Sequence, residues 1–200
     1  MILCINPGSS SLKYKLFKND LTLYKSNSFS VKKSLDFKDF RTITLNFLDE
    51  LEPDIAKIES VCVRVVHGGG IFNKPTLMTQ ENIKKLAVIA DLAPLHNPIS
   101  LVVIKTLKKK LGDKKIYAVF DTAFFADLPK SAKTYAIPLD ISQKFNIKRF
   151  GAHGISHNFA LNKVDPQKKS KLISIHLGAG CSICAINQGK PIDISMGLTP

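Results

Sequence analysis

Two stretches of this chain are written to one plan, and that duplication limits the available folds more than any other feature. MILCINPGSSSLKYKLFKND (1–20) and LISIHLGAGCSICAINQGKPIDIS (172–195) share one order of parts. Each runs an apolar strand into a polar residue, Asn6 or His176, then a turn of small residues, Pro7 to Ser11 or Gly178 to Ser182, and then a second strand. A tight hairpin needs only a pair such as Asn-Gly. The longer, small-residue turn lets backbone N–H groups approach a bound group, and in the first copy three hydroxyls can donate as well, which suits an anion such as phosphate. Gly8-Ser-Ser-Ser-Leu-Lys13 is not a Walker A loop, because the second glycine before the lysine is missing. Two such hairpins opening two domains would face each other across a cleft.

Between them the pattern alternates strand and helix. Strands are expected at 2–5, 12–18 and 21–29, as a meander. Ser34 or Asp36 would cap a helix running to about Leu51, with Phe37, Phe40, Ile43, Leu45, Phe47, Leu48 and Leu51 as its apolar positions. A buried-type strand at 61–66 ends in His67-Gly68-Gly69-Gly70, and Thr79 starts a second helix. Asn97 reads as the N-cap of a third, with Pro98 at its first position. A strand at 116–120 stops at Asp121. Residues 138–151 form a junction, giving domains 1–148 and 149–200, the latter incomplete; a helix from His157 then leads to a strand at 172–176. This order predicts an α/β fold.

Composition narrows the classes. With 200 residues and 44% hydrophobic content the chain can bury a substantial core. Its net charge is +13, yet arginine occurs only at 41, 64 and 149, and the lysines are spread along the chain. A nucleic-acid protein would favour arginine with interleaved aromatics, so the reading is a solvated basic surface that attracts small anions. No apolar run spans a bilayer, and the opening residues lack the basic region of a signal peptide. A cytoplasmic protein without membrane or nucleic-acid partners is expected. Cys181 and Cys184 sit three apart in an extended segment and point to opposite faces. With Cys4 and Cys62 they are read as reduced core or near-core thiols.

Reactive groups in α/β proteins gather at strand ends. Arg64 in CVRVVHGGG, Asp121 in AVFDTAF, His153 in RFGAHGISH and His96 in APLHNP occupy such positions. A guanidinium inside an apolar strand needs an anion or a buried carboxylate, because left unpaired and buried it is too costly, which favours a functional Arg64. Asp121 fits either a turn cap or a reactive carboxylate. His153 and His157 fit either satisfied structural histidines or ligand-facing groups, with the flanking glycines pointing to ligand approach. His67 and His96 read as structural.

Taken together, INPGSSSLK, RVVHGG, APLHNP, VFDTAF, RFGAHGISH, HLGAG and DISMGLTP resemble, in order and spacing, the acetate kinase family of acetate and propionate kinases. The resemblance implies an actin-like ATPase (ribonuclease H-like) fold, a mixed sheet flanked by helices followed by the start of a second similar domain. It implies reversible phosphoryl transfer from ATP to a short carboxylate, acetate or propionate, giving acyl phosphate and ADP. Asn6 would help hold Mg²⁺ (or Mn²⁺). Lys13, Ser9, Ser11 and the turn His176, Leu177, Gly178, Ala179 and Gly180 would lie at the nucleotide phosphates. Arg64 would bind the carboxylate in a small apolar pocket of Val66, Leu95 and Ala152. Asp121 would organise the metal or move a proton, and His153 would stabilise the transition state. A homodimer is expected of the intact enzyme.

Two departures matter. The family usually places asparagine where this chain has Ala179, and its members are roughly twice as long. A second arginine, the adenosine site and a distal glutamate would lie beyond residue 200. The expectations are therefore an acyl kinase represented by its N-terminal half, an inert fragment that binds carboxylate or phosphate, or a kinase for another short fatty acid.

Overall fold

The computed structural model describes residues 1–31, 37–178 and 180–199. The expected caps Ser34 and Asp36 and the turn residue Ala179 lie outside the described residues. The chain divides into two compact units, Met1–Val65 with Pro75–Val119, and Val66–Lys74 with Phe120–Pro200. Compared with the expected boundary at 148/149, this division assigns 66–74 and 120–148 to the second unit.

The first unit holds the meander β1 (Ile2–Pro7), β2 (Ser11–Phe17) and β3 (Leu23–Ser30), then α1 (Phe37–Glu50), the short α2 (Glu52–Ile55) and β4 (Ser60–Val65). A two-residue strand β5 (Thr76–Leu77), α3 (Gln80–Val88), α4 (Asn97–Leu111) and β6 (Lys115–Phe120) follow. The sheet order is β3-β2-β1-β4-β6-β5. β1 runs antiparallel to β2 and parallel to β4, so the sheet is mixed.

Alternation sets its two faces. Leu3, Ile5, Leu12, Tyr14, Leu16, Val61, Val63 and Val65 are buried on one. There the rings of Tyr14 and Phe47 of α1 lie 5.3 Å apart, and Phe47 and Phe29 6.4 Å. Tyr14 donates its hydroxyl to Glu50 at 2.6 Å, which holds that carboxyl below its usual range. The other face carries Cys4, Asn6, Lys13, Lys15, Cys62 and Arg64, all exposed or half-buried. Thr79 caps α3 by accepting from the Asn82 N–H at 3.2 Å, as its sequence predicts. The expectation for α4 is corrected by one residue. His96 stands at the N-cap without a side-chain cap bond, and Asn97 is the first helical residue, fully buried.

The second unit contains the 3-10 turn Asp121–Phe125, the short helices α5 (Lys130–Lys133) and α6 (Leu139–Lys144), and α7 (Gly154–Val164). Strands β7 (Lys171–Leu177), β8 (Cys181–Asn187) and β9 (Lys190–Ile194) form an antiparallel sheet in sequence order. Helix α7 starts three residues before the expected His157. A core of Phe125, Leu128, Leu161, Cys184, Ile186 and Ile194 fills one face of this sheet. On the opposite face Ile173, Ile175, Leu177 and Ile183 are exposed.

Candidate active site

Each of the duplicated hairpins is closed by a backbone hydrogen bond, over three residues in the first and two in the second. In the first, Gly8 N–H donates to the Ser11 carbonyl at 2.7 Å, closing the turn between β1 and β2. In the second, Gly178 N–H donates to the Gly180 carbonyl at 3.0 Å, closing the turn between β7 and β8. Ser9 is exposed and Ser11 half-buried, so the first turn presents hydroxyls to solvent, whereas in the second Gly178 and Gly180 are exposed and the one serine, Ser182, is fully buried.

In the first unit, register brings three predicted residues together. Asn6 pairs with Lys13 across the β1–β2 ladder. Arg64 lies on the same face of the neighbouring parallel strand β4. Its Nη1 donates to Asn6 Oδ1 at 3.1 Å, and its backbone carbonyl accepts from Ser100 Oγ at 3.1 Å. A guanidinium in an otherwise apolar strand is thus held on a polar partner, on a face it shares with Lys13. Leu95 in this unit is exposed, at 53%.

In the second unit, Asp121 begins the 3-10 turn directly after β6 and is 1% exposed. His153 caps α7 in the left-handed backbone region, φ 58° and ψ 22°, a conformation that side-chain-bearing residues adopt at a cost, and that concentrates at functional sites. Its ring stacks on His176 with centroids 4.1 Å apart. Its Nδ1 lies 2.9 Å from Ser182 Oγ, which in turn lies 2.8 Å from Nε2 of His157. His157 Nδ1 reaches Ser174 Oγ at 2.8 Å, and His176 Nδ1 reaches Ser156 Oγ at 3.0 Å. His157 is fully buried. Burial first, and the charges of His153 and His176 second, push it down to about 4, against an opposing pull from Asp121. A Cβ on Gly180 would sit 3.5 Å from the His153 ring, so the second small-residue turn lies beside this histidine group. Val66 and Ala152 are buried in this unit.

The glycines around His153 serve packing. A Cβ on Gly151 would meet the Phe125 ring at 2.5 Å, and one on Gly154 would meet the Asp121 carbonyl at 2.0 Å. They seat the start of α7 against Asp121 and Phe125, which corrects the expectation that they open space for a ligand. His67 is structural as expected. It is buried, with Nδ1 accepting from Gly69 N–H and Nε2 2.9 Å from the Leu198 carbonyl, and burial lowers its pKa. Cys184 is buried and Cys181 exposed, which corrects the placement of Cys181 near the core.

Ser174, Ser156 and Ser182 went unpredicted. The β7–β8 register, which sets His176 opposite Ser182, is the signal that would have found the last of them. No group of three or more His, Cys, Asp or Glu side chains suited to a metal occurs among the described residues. No helix among them is long and apolar enough to cross a membrane.

A mixed sheet flanked by helices, followed by a second unit with its own sheet and helices, defines an α/β protein of the actin-like ATPase fold class. The sequence profile of the acetokinase family matches residues 25–200, and the chain belongs to that family. It is 38% identical to acetate kinase from Bacillus subtilis, aligning over 100% of this chain and 58% of that protein. Identity to acetate kinase from Thermoanaerobacterium thermosaccharolyticum is also 38%, over 100% of this chain and 57% of that one. Among solved structures, a propionate kinase from Francisella tularensis superposes with TM-score 0.84 at 34% identity, covering 100% of this chain and 58% of its own. Porphyromonas gingivalis acetate kinase gives 0.79 at 31%, again covering 100% of this chain and 58% of its own. The chain therefore spans somewhat more than half the length of these relatives.

Proposed function

We propose that this chain carries the acyl-acceptor part of an ATP-dependent carboxylate kinase acting on acetate or propionate. The observation that carries the reading is the Arg64–Asn6 contact on the polar face of the first sheet, beside Lys13. A planar guanidinium suits a carboxylate in a two-bond, fork-like pairing, and Lys13 supplies a point charge for phosphate oxygens.

In the reaction, a carboxylate oxygen attacks the γ-phosphorus of ATP while the bond to the β-phosphate oxygen breaks, giving acyl phosphate and ADP. The acceptor is already ionised at neutral pH and needs no base, so catalysis is positioning plus charge. Arg64 orients the acceptor. Donors from the turns at 8–11 and 178–180 bind phosphate oxygens, and His153, braced by Ser182 and stacked on His176, offers a donor to the transferring group. Asp121 then serves to organise a cation.

The residues fit Mg²⁺ in one mode. Asn6 Oδ1 has two lone pairs and Arg64 engages one, leaving the other for a cation or its water. Mg²⁺ keeps several waters and takes few protein ligands beside substrate phosphates. Bound there, it would neutralise phosphate charge.

The test uses a chimera of these 200 residues with the remaining C-terminal part of the Bacillus subtilis enzyme. Arg64→Ala should raise KM for acetate at least tenfold more than KM for ATP, and Arg64→Lys should restore little. Equal effects on both substrates would reject the assignment.

A further inference from the structure

Cys4 and Cys62 are register partners on the adjacent parallel strands β1 and β4, so their side chains leave the same face of the sheet side by side. Both thiols are half-buried rather than sealed in the core, and Lys15 is the partner of Cys4 on the other side, in β2. Partial exposure in basic surroundings is the setting of reactive cysteines, and inert structural thiols lie deeper. Cys184, fully buried on the core side of β8, is the contrast within this chain.

We propose that Cys4 and Cys62 form a dithiol modification site that reacts with peroxides and closes to an intramolecular disulfide. One sulfur attacks a peroxide oxygen, the O–O bond breaks, and a sulfenic acid and water result. The second sulfur then displaces hydroxide from the first, forming the S–S bond and releasing a second water as its proton leaves. Two thiols are oxidised by two electrons while one hydrogen peroxide becomes two waters. The geometry allows closure at some strain. Disulfides hold their Cβ atoms about 3.5–4.5 Å apart, whereas adjacent strands run about 4.7–4.9 Å apart, so β1 and β4 must pinch together locally. A strained bridge is easily reduced, which makes the modification reversible. It would form two residues before Asn6 and Arg64 on the same face, about 6.6 Å along each strand. If the carboxylate reading of Arg64 holds, oxidation distorts that contact; the disulfide itself does not depend on that reading.

The test treats the reduced 200-residue chain, and its Cys181→Ser variant, with hydrogen peroxide and follows intact mass, free thiols and cross-linked peptides. The expected product is a monomer lighter by two hydrogens, with a Cys4–Cys62 peptide link that dithiothreitol reverses. It should form equally in Cys181→Ser and be absent in Cys4→Ser and Cys62→Ser. Sulfinic acid at either residue with no bridge, oxidation confined to Cys181, or a bridge of any other pairing would overturn the proposal.

Discussion

Acidification should loosen the second unit through one histidine. His157 is fully buried between Ser174 and Ser182, and its pKa falls from 6.5 to about 4. A histidine whose folded pKa lies below its unfolded value stabilises the fold as the neutral ring. Its contribution is complete above the unfolded pKa and is lost as the pH falls from 6.5 through about 4. At 1.36 kcal/mol per unit this amounts to about 3 kcal/mol as an upper bound, a large share of the stability of an ordinary domain. Because other groups titrate in the same window, the informative quantity is the difference between proteins. Urea unfolding of the chain and of His157→Gln, followed by circular dichroism near pH 7 and near pH 4.5, measures it. The variant should be weaker near neutrality, where the glutamine packs imperfectly, but its stability should decline less with acid, by about 2–3 kcal/mol. Parallel pH dependences would refute the reasoning, since they would place the protonation penalty elsewhere.

Other outcomes follow from the packing and from the proposed function. Phe47→Ala, which empties the space between Tyr14 and Phe29 under α1, should cost about 3–5 kcal/mol in denaturant unfolding. On the proposed carboxylate-kinase reading, the chimera should use propionate alongside acetate. Their kcat/KM values should differ by about 10–200-fold at most, the worth of one methylene, and a thousand-fold preference would contradict that reading.

Much of this was legible in the sequence, and for identifiable reasons. Strict alternation in LCINP and SLKYKLF fixes which side chains face the helices, and Thr79 announces α3 because a hydroxyl at that position satisfies an orphan N–H. What stayed hidden depends on pairing between distant segments. Ser182 becomes meaningful only when β7 and β8 set it opposite His176. The Cys4–Cys62 pair exists only because β1 and β4 run parallel in that register. Gly151 and Gly154 look like ligand space until Phe125 and Asp121 are seen to fill it. The expected cap at Asn97 is one residue off, since the chain turns into α4 at His96 and Asn97 is already helical.

The most direct test of the account is acyl phosphate formation, trapped with hydroxylamine in the presence of Mg²⁺, ATP and acetate. The 200-residue chain alone should form none above background, since it aligns with only 57–58% of the length of its acetate kinase relatives. The chimera with the C-terminal part of the Bacillus subtilis enzyme should form acyl hydroxamate, and its His153→Ala and Arg64→Ala variants should lose most of it. Turnover by the chain alone at the rate of an intact relative would contradict the account. So would a folded, ATP-binding chimera that never yields hydroxamate.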